Sequence, residues 1–174
     1  MSAAAPASAA VDGARRRTFE WADPAAALQR AAGRSGLEVI QALVAGELPP
    51  PPIARLLGME VVEAERGRAV FALEPQEWMY NPIGSVHGGI AATMLDSCMG
   101  CAVHTTLAAG VGYTTTDLQV RYLRAMSAGA GTVLAEGRVV HAGRRTATAA
   151  GRIYLQDDES VLFAHGSTGC VILA

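Results

Sequence analysis

Charge is scarce in this sequence. Asp, Glu, Lys and Arg together make up 17% of 174 residues, and the formal net charge is −2. That balance argues against partners held by bulk charge, namely nucleic acid and anionic membrane. No apolar run approaches the ~18 residues of a membrane-spanning helix. Cysteine is rare and odd in number, three in all. With no secretory signal, this excludes a disulfide framework and points to a reducing cytoplasm. No internal repeat is visible either.

Apolar residues are plentiful, at 51%. The chain is therefore long and apolar enough for one domain with a real core, in a compact oligomer. Residues 1–23 are Ala/Ser-rich with an Arg15-Arg16-Arg17 triplet. The triplet follows a weak Ala tract, the reverse of a secretory signal, so a disordered tail is expected; organellar import is the alternative. Residues 24–52 are expected to form a helical arm and a Pro-rich spacer. Asp23 caps and Pro24 opens a helix through Ala32. Gly33 and Gly36 interrupt it, and Leu37, Ile40, Leu43 and Val44 then recur at helical spacing. Pro49 to Pro52 form a stiff spacer. The arm is expected to cover an edge of the domain or its pocket.

Residues 53–174 form the main domain. Ile53 to Leu57 reads as a short helical turn. Met59 to Ala64 and Arg68 to Leu73 read as a hairpin around Glu65-Arg66-Gly67. A loop over 74–85 follows, whose Trp78, Met79 and Tyr80 are candidates for lining a pocket. After the next, helical stretch come strands at Thr114–Leu123, Thr132–His141, Arg145–Leu155 and Val161–Leu173. Leu118, Val120 and Tyr122 share one strand face, and Asp117, Gln119 and Arg121 the other. Ala147, Ala149 and Gly151 alternate, so a helix can lie close against them. The class is α+β, with an antiparallel sheet wrapped around its helix.

That helical stretch begins near Val86 to Gly88 and runs through Ala, Met, Leu, Cys and Val to His104. It is apolar nearly all round, as a core helix is. Yet its first turn is His87-Gly88-Gly89, which bares backbone N–H groups, and it contains a lone carboxylate, Asp96. At about 100° per residue, Gly89, Thr93, Asp96, Gly100 and Val103 share one stripe. An oxyanion developing on a carbonyl suits Gly88 or Gly89, and Asp96 suits a base or nucleophile. Residues 89 and 96 lie roughly 10 Å apart along one helix, too far to act on one carbon. An antiparallel helix from a second chain would bring its Asp96 to this helix's tip, so the reading is a homodimer with shared active sites. Two such dimers are expected to pair into a homotetramer.

Asn81-Pro-x-Gly-x-x-His-Gly-Gly, with an acid seven residues after Gly89, resembles the hotdog-fold acyl-CoA thioesterases of the phenylacetate-pathway (PaaI-like) type. The resemblance runs from about Pro52 to the C-terminus and includes Gly112 to Arg124 and His141 to Arg145. It implies a hotdog fold, with the residue-24–52 arm as an N-terminal extension, and hydrolysis of an acyl- or aryl-acetyl-CoA. Asp96 is implied as the catalytic carboxylate, and Gly88, with Gly89, as the group polarising the carbonyl. Asn81 is implied to hold water or the carbonyl, and His87 to shape the pocket. A strand hydroxyl, Thr115 among the consecutive Thr114, Thr115 and Thr116, is implied to position the water. Arg144 and Arg145 on a hairpin tip, with Arg121 or Arg124, are candidates for gripping the phosphates of coenzyme A. No metal or redox cofactor is implied.

Blander readings stand beside these. Asp96 could be a structural acid bonded to Thr93, and His87 a helix cap. Cys98-Met-Gly-Cys101 spells C-x-x-C but sits inside a helix, where packing is the expectation. Two rival functions remain. A hydratase of the MaoC-like kind pairs an Asp with a His five residues on, where this chain has Cys101. A non-catalytic acyl-CoA-binding module would have no use for Asp96 and Asn81.

Overall fold

Capping chemistry starts the first regular elements of the computed structural model, which describes residues 13–173. The Asp23 carboxylate accepts the Ala25 N–H at 2.9 Å and opens helix α1, Pro24–Ala31. Ser35 and Glu38 form a reciprocal capping box that opens α2, Gly36–Val44. Gly36 is thus the first residue of α2 rather than an interruption. Its missing side chain lets the helix cross the end of the central helix, since a Cβ would stand 1.8 Å from the His104 carbonyl oxygen. Pro52 opens α3, Pro52–Leu57, which Gly58 ends at φ 71°, so the fourth proline belongs to a helix. The tail expected over residues 1–23 lies outside the described residues as far as residue 12. Residues 13–23 carry no helix or strand, and Arg17 lies over the Trp78 ring at 3.9 Å.

Strands β1 (Met59–Glu65) and β2 (Arg68–Leu73) form the expected hairpin. Strands β3 (Gly112–Tyr122), β4 (Val133–Ala142), β5 (Thr146–Leu155) and β6 (Asp158–Leu173) complete a six-stranded antiparallel sheet, ordered β1-β2-β4-β5-β6-β3. The last strand starts three residues before the expected Val161, because the turn needs only Gln156 and Asp157. Helix α4, Gly88–His104, connects β2 to β3 across the face of the sheet. The chain thereby reaches the far edge before filling in the middle.

The sheet wraps around α4, the hotdog arrangement. Met94, Leu95, Cys98 and Met99 have no exposed surface, and burial of each Met or Leu is worth about 1.5–3 kcal/mol of transfer free energy. Ala147 and Ala149 are buried beneath the helix, as their small size suggests. The closest approach is at Gly137 of β4, where a Cβ would lie 2.3 Å from the Cys98 carbonyl oxygen. At the far end of α4, Thr105 Oγ1 donates to Ala102 O and accepts the Gly67 N–H at 2.7 Å, tying the helix to the β1–β2 turn. No described helix is long and apolar enough to cross a membrane.

Candidate active site

The first turn of α4 is built by its cap. His87 Nδ1 accepts the Gly89 N–H at 2.9 Å, and the Ile90 N–H goes to the His87 carbonyl at 2.9 Å. This bond leaves the proton of a neutral imidazole on Nε2, at an exposed position. Gly89 therefore has its N–H occupied, and the Gly88 N–H has no acceptor among the described residues. Tyr122 Oη donates to the Gly88 carbonyl at 3.1 Å and pins the tip to β3. Asn81 braces the preceding loop. Its Oδ1 accepts from the Ile83 and Ser85 N–H groups at 3.1 and 3.2 Å, and its Nδ2 donates to Ser85 Oγ at 3.1 Å. Asn81, Gly88, Tyr122 and Arg124 share one cavity, of about 380 Å³.

Asp96 faces a different cavity. Thr115 Oγ1 donates to Asp96 Oδ1 at 2.9 Å, whereas Thr93 spends its hydroxyl on the Gly89 carbonyl. Asp96 Oδ2 has no donor among the described residues. Both residues line a space of about 550 Å³. Of the three consecutive threonines, Thr115 alone is half-buried; Thr114 and Thr116 are exposed. The cause is a β-bulge: the β3–β6 register shifts between Thr115 and Asp117. Tyr113 and Thr115 thus face the helix on one side of the bulge, and Leu118 and Val120 face it on the other. Simple alternation back from Leu118 would have pointed Thr116 inward instead.

Within one chain, then, Asp96 and Thr115 come together, and Gly88 and Asn81 come together, in separate cavities. Arg121, Arg144 and Arg145 are exposed and line neither; Arg124 sits beside Gly88. Trp78, Met79 and Tyr80 also line neither. Met79 is core, Trp78 lies under Arg17, and Tyr80 Oη accepts the Ala128 N–H at 2.8 Å. Cys98 and Cys101 are free thiols. Burial pushes the Cys98 thiol up, and burial with the Asp96 charge pushes Cys101 up to about 12. Neither is a nucleophile at neutral pH. Leu43, Leu48 and the prolines of the arm also line the Asp96 cavity. The sequence predicts an arm over an edge of the domain or its pocket, but not which of its side chains face that space.

Residues 83–162 match the family model of the thioesterase superfamily. A putative esterase of Halobacterium salinarum is 34% identical over 107 residues, 59% of this chain and 69% of the relative. The 1,4-dihydroxy-2-naphthoyl-CoA hydrolase of Listeria monocytogenes is 27% identical over 90 residues, 52% of this chain and 72% of the relative. A solved putative thioesterase from Ralstonia eutropha, related to phenylacetic acid degradation, superposes with TM-score 0.67 at 25% identity, over 76% of this chain and 98% of that one. With the helix tip, the lone carboxylate and the wrapped sheet, these matches make the chain a member of the thioesterase superfamily, a thioester hydrolase of the PaaI-like hotdog kind.

Proposed function

We propose that the protein hydrolyses the thioester of an acyl- or aryl-acetyl-CoA to the free acid and coenzyme A, in a site shared between two chains. The observation that carries this reading is the Asp96–Thr115 pair. The hydroxyl holds one carboxylate oxygen at 2.9 Å, and the other oxygen is left without a protein donor beside a cavity of about 550 Å³. A water bonded to Oδ2 gives its proton to the carboxylate as its oxygen attacks the carbonyl carbon. The C–S bond then breaks, and the departing sulfur takes the proton held on Asp96, which returns to the carboxylate. Direct attack by Asp96, giving an anhydride that water opens, uses the same residues. The developing oxyanion is received by the Gly88 N–H at a helix N-terminus.

That N–H and Asp96 lie about 12 Å apart along α4, at about 1.5 Å per residue, so one chain does not bring them together. The strand β3 lies at an edge of the sheet, with Tyr122 58% exposed at its end. Two such edges meeting about a two-fold axis would set the α4 helices antiparallel, each tip beside the other's carboxylate. A pair of these dimers forming a tetramer is the assembly we propose. Coenzyme A then approaches across the surface bearing Arg124, with Arg144 and Arg145 as candidate phosphate contacts. The cytoplasm is the proposed location.

Asp96→Asn is expected to lower kcat about 10²–10⁴-fold in a thiol-release assay, with the fold intact by circular dichroism. Wild-type rates from this variant would remove the carboxylate from the mechanism. Sharing is tested by mixing. Asp96→Asn and a Gly88→Val chain, each inactive alone, regain activity when dimers are dissociated and reassembled together, because one site of the hybrid is whole. No regain would place each site within one chain.

A further inference from the structure

The Asp96 cavity is not closed by the sheet alone. Its roof is the N-terminal arm: Leu43 and Val44 at the end of α2, then the strap from Leu48 to Pro51. Leu48 is only 5% exposed, although its segment has no regular structure. The strap also walls a second space of about 290 Å³, completed by Leu28 of α1 and Val39 of α2. Leu43, Leu48 and Pro49 to Pro51 line both spaces, so a single run of chain partitions them.

The walls select among the parts of a thioester. Besides Asp96, the charged residues at this cavity are Arg55 and Glu60, both exposed, and Arg55 Nε is already donated to the Glu20 carbonyl at 3.2 Å. Nothing inside would neutralise phosphates, which need cations or arrays of N–H donors. A carboxylate on the acyl group would meet the charges of Asp96 and Glu60, with only the exposed Arg55 to offset them. An alkyl or other apolar chain meets Leu, Val, Pro, Met and Phe side chains instead. The volume, about 550 Å³, falls in the range of about 300–1,000 Å³ that small-molecule pockets occupy.

Resting on the thioesterase reading above, we infer that this cavity takes the acyl group, that the group is uncharged and apolar, and that Leu43 and Leu48 of the arm set its length. The acyl chain runs from the carbonyl beside Asp96 toward the strap and stops there. Removing either isopropyl group opens a way into the space beside Leu28. A bulkier side chain at position 43 shortens the cavity.

The test is thiol release from straight-chain acyl-CoAs, butyryl through palmitoyl, and from phenylacetyl-CoA, with succinyl-CoA as the charged comparison. It is run on the full-length wild type, Leu43→Ala, Leu48→Ala and Leu43→Trp. Binding of the matching free fatty acids, read by calorimetry, supplies a measure that does not depend on turnover. For the two alanine variants, the first chain too long for the wild type gains about tenfold or more in kcat/KM. For Leu43→Trp the optimum moves to shorter chains, and fatty-acid binding moves the same way in each variant. An unchanged length order in an active enzyme overturns the role of the arm and leaves the hydrolase reading standing. A preference for succinyl-CoA overturns the apolar acyl group. If fatty acids bind with arm-dependent length but no acyl-CoA releases thiol, the cavity assignment stands and the hydrolytic reading falls.

Discussion

Thr115 reaches Asp96 because β3 carries one extra residue at Thr116. The hydroxyl then holds one carboxylate oxygen and leaves the second without a donor among the described residues, the oxygen to which the proposed mechanism assigns water. A hydrogen bond to a charged group is worth about 1.5–3 kcal/mol, and about 1.4 kcal/mol is tenfold in rate. Thr115→Val keeps the side-chain shape and is expected to lower kcat about 10–100-fold with KM little changed; Thr115→Ser restores most of the rate. Steady-state kinetics on the pair decides it, because a purely packing role predicts that Val outperforms Ser. His87 is the counterpart at the helix tip. Its ring holds the Gly89 N–H, and the Gly88 N–H has no acceptor among the described residues. In the proposed mechanism His87 acts through this backbone geometry.

The seating of α4 against the sheet depends on positions with no side chain. At Gly137 the obstacle to a Cβ is helix backbone, the Cys98 carbonyl at 2.3 Å and the Met99 nitrogen at 2.6 Å, and backbone does not rotate aside. Overpacking costs about 1–3 kcal/mol, and Gly137→Ala belongs at the upper end of that range. Urea denaturation of the variant measures this, and a midpoint equal to wild type would mean the helix rides higher than described. Gly36 plays the same part where α2 crosses the His104 carbonyl. Gly36 seats α2, and the strap that follows α2 carries Leu48, 5% exposed, against the Asp96 cavity.

At the scale of the whole molecule, one knot of charge ties three strands together. Glu136 is 3% exposed and accepts from Arg68 at 2.6 Å, Arg138 at 2.7 Å and Arg152 at 3.0 Å, spanning β2, β4 and β5. Burial raises its carboxyl, but the bonds from Arg68 and Arg152 and the charge of Arg138 outweigh it and hold the group below the usual range. A depressed folded value means the stabilisation is complete above the unfolded value of about 4.3 and is lost as pH falls through the folded value. Removing one partner of a buried pair costs about 3–5 kcal/mol; with Arg138 and Arg152 partly exposed, about 2–3 kcal/mol is expected for Glu136→Gln at neutral pH. Thermal melts of both proteins should converge as pH drops below about 4. A gap that stays constant into acid would assign the loss to packing.

Local chemistry is why so much could be read before the fold was known. Asp23-Pro24, the apolar run after His87-Gly88-Gly89 and the alternation in the later strands each specify a neighbour a few residues away. An antiparallel sheet wrapped around one apolar helix was legible for that reason, and so was the impossibility of bringing residues 89 and 96 together on one helix. The hotdog fold itself was implied by the resemblance that the Asn81 to Gly89 motif carries. Tertiary contact decided the rest. A bulge turned Thr115 rather than Thr116 toward Asp96, and the His87 cap took the Gly89 N–H. The folding-back of the arm turned Leu43 and Leu48 into cavity wall. Each of these depends on distances between segments far apart in the chain, which no periodicity encodes.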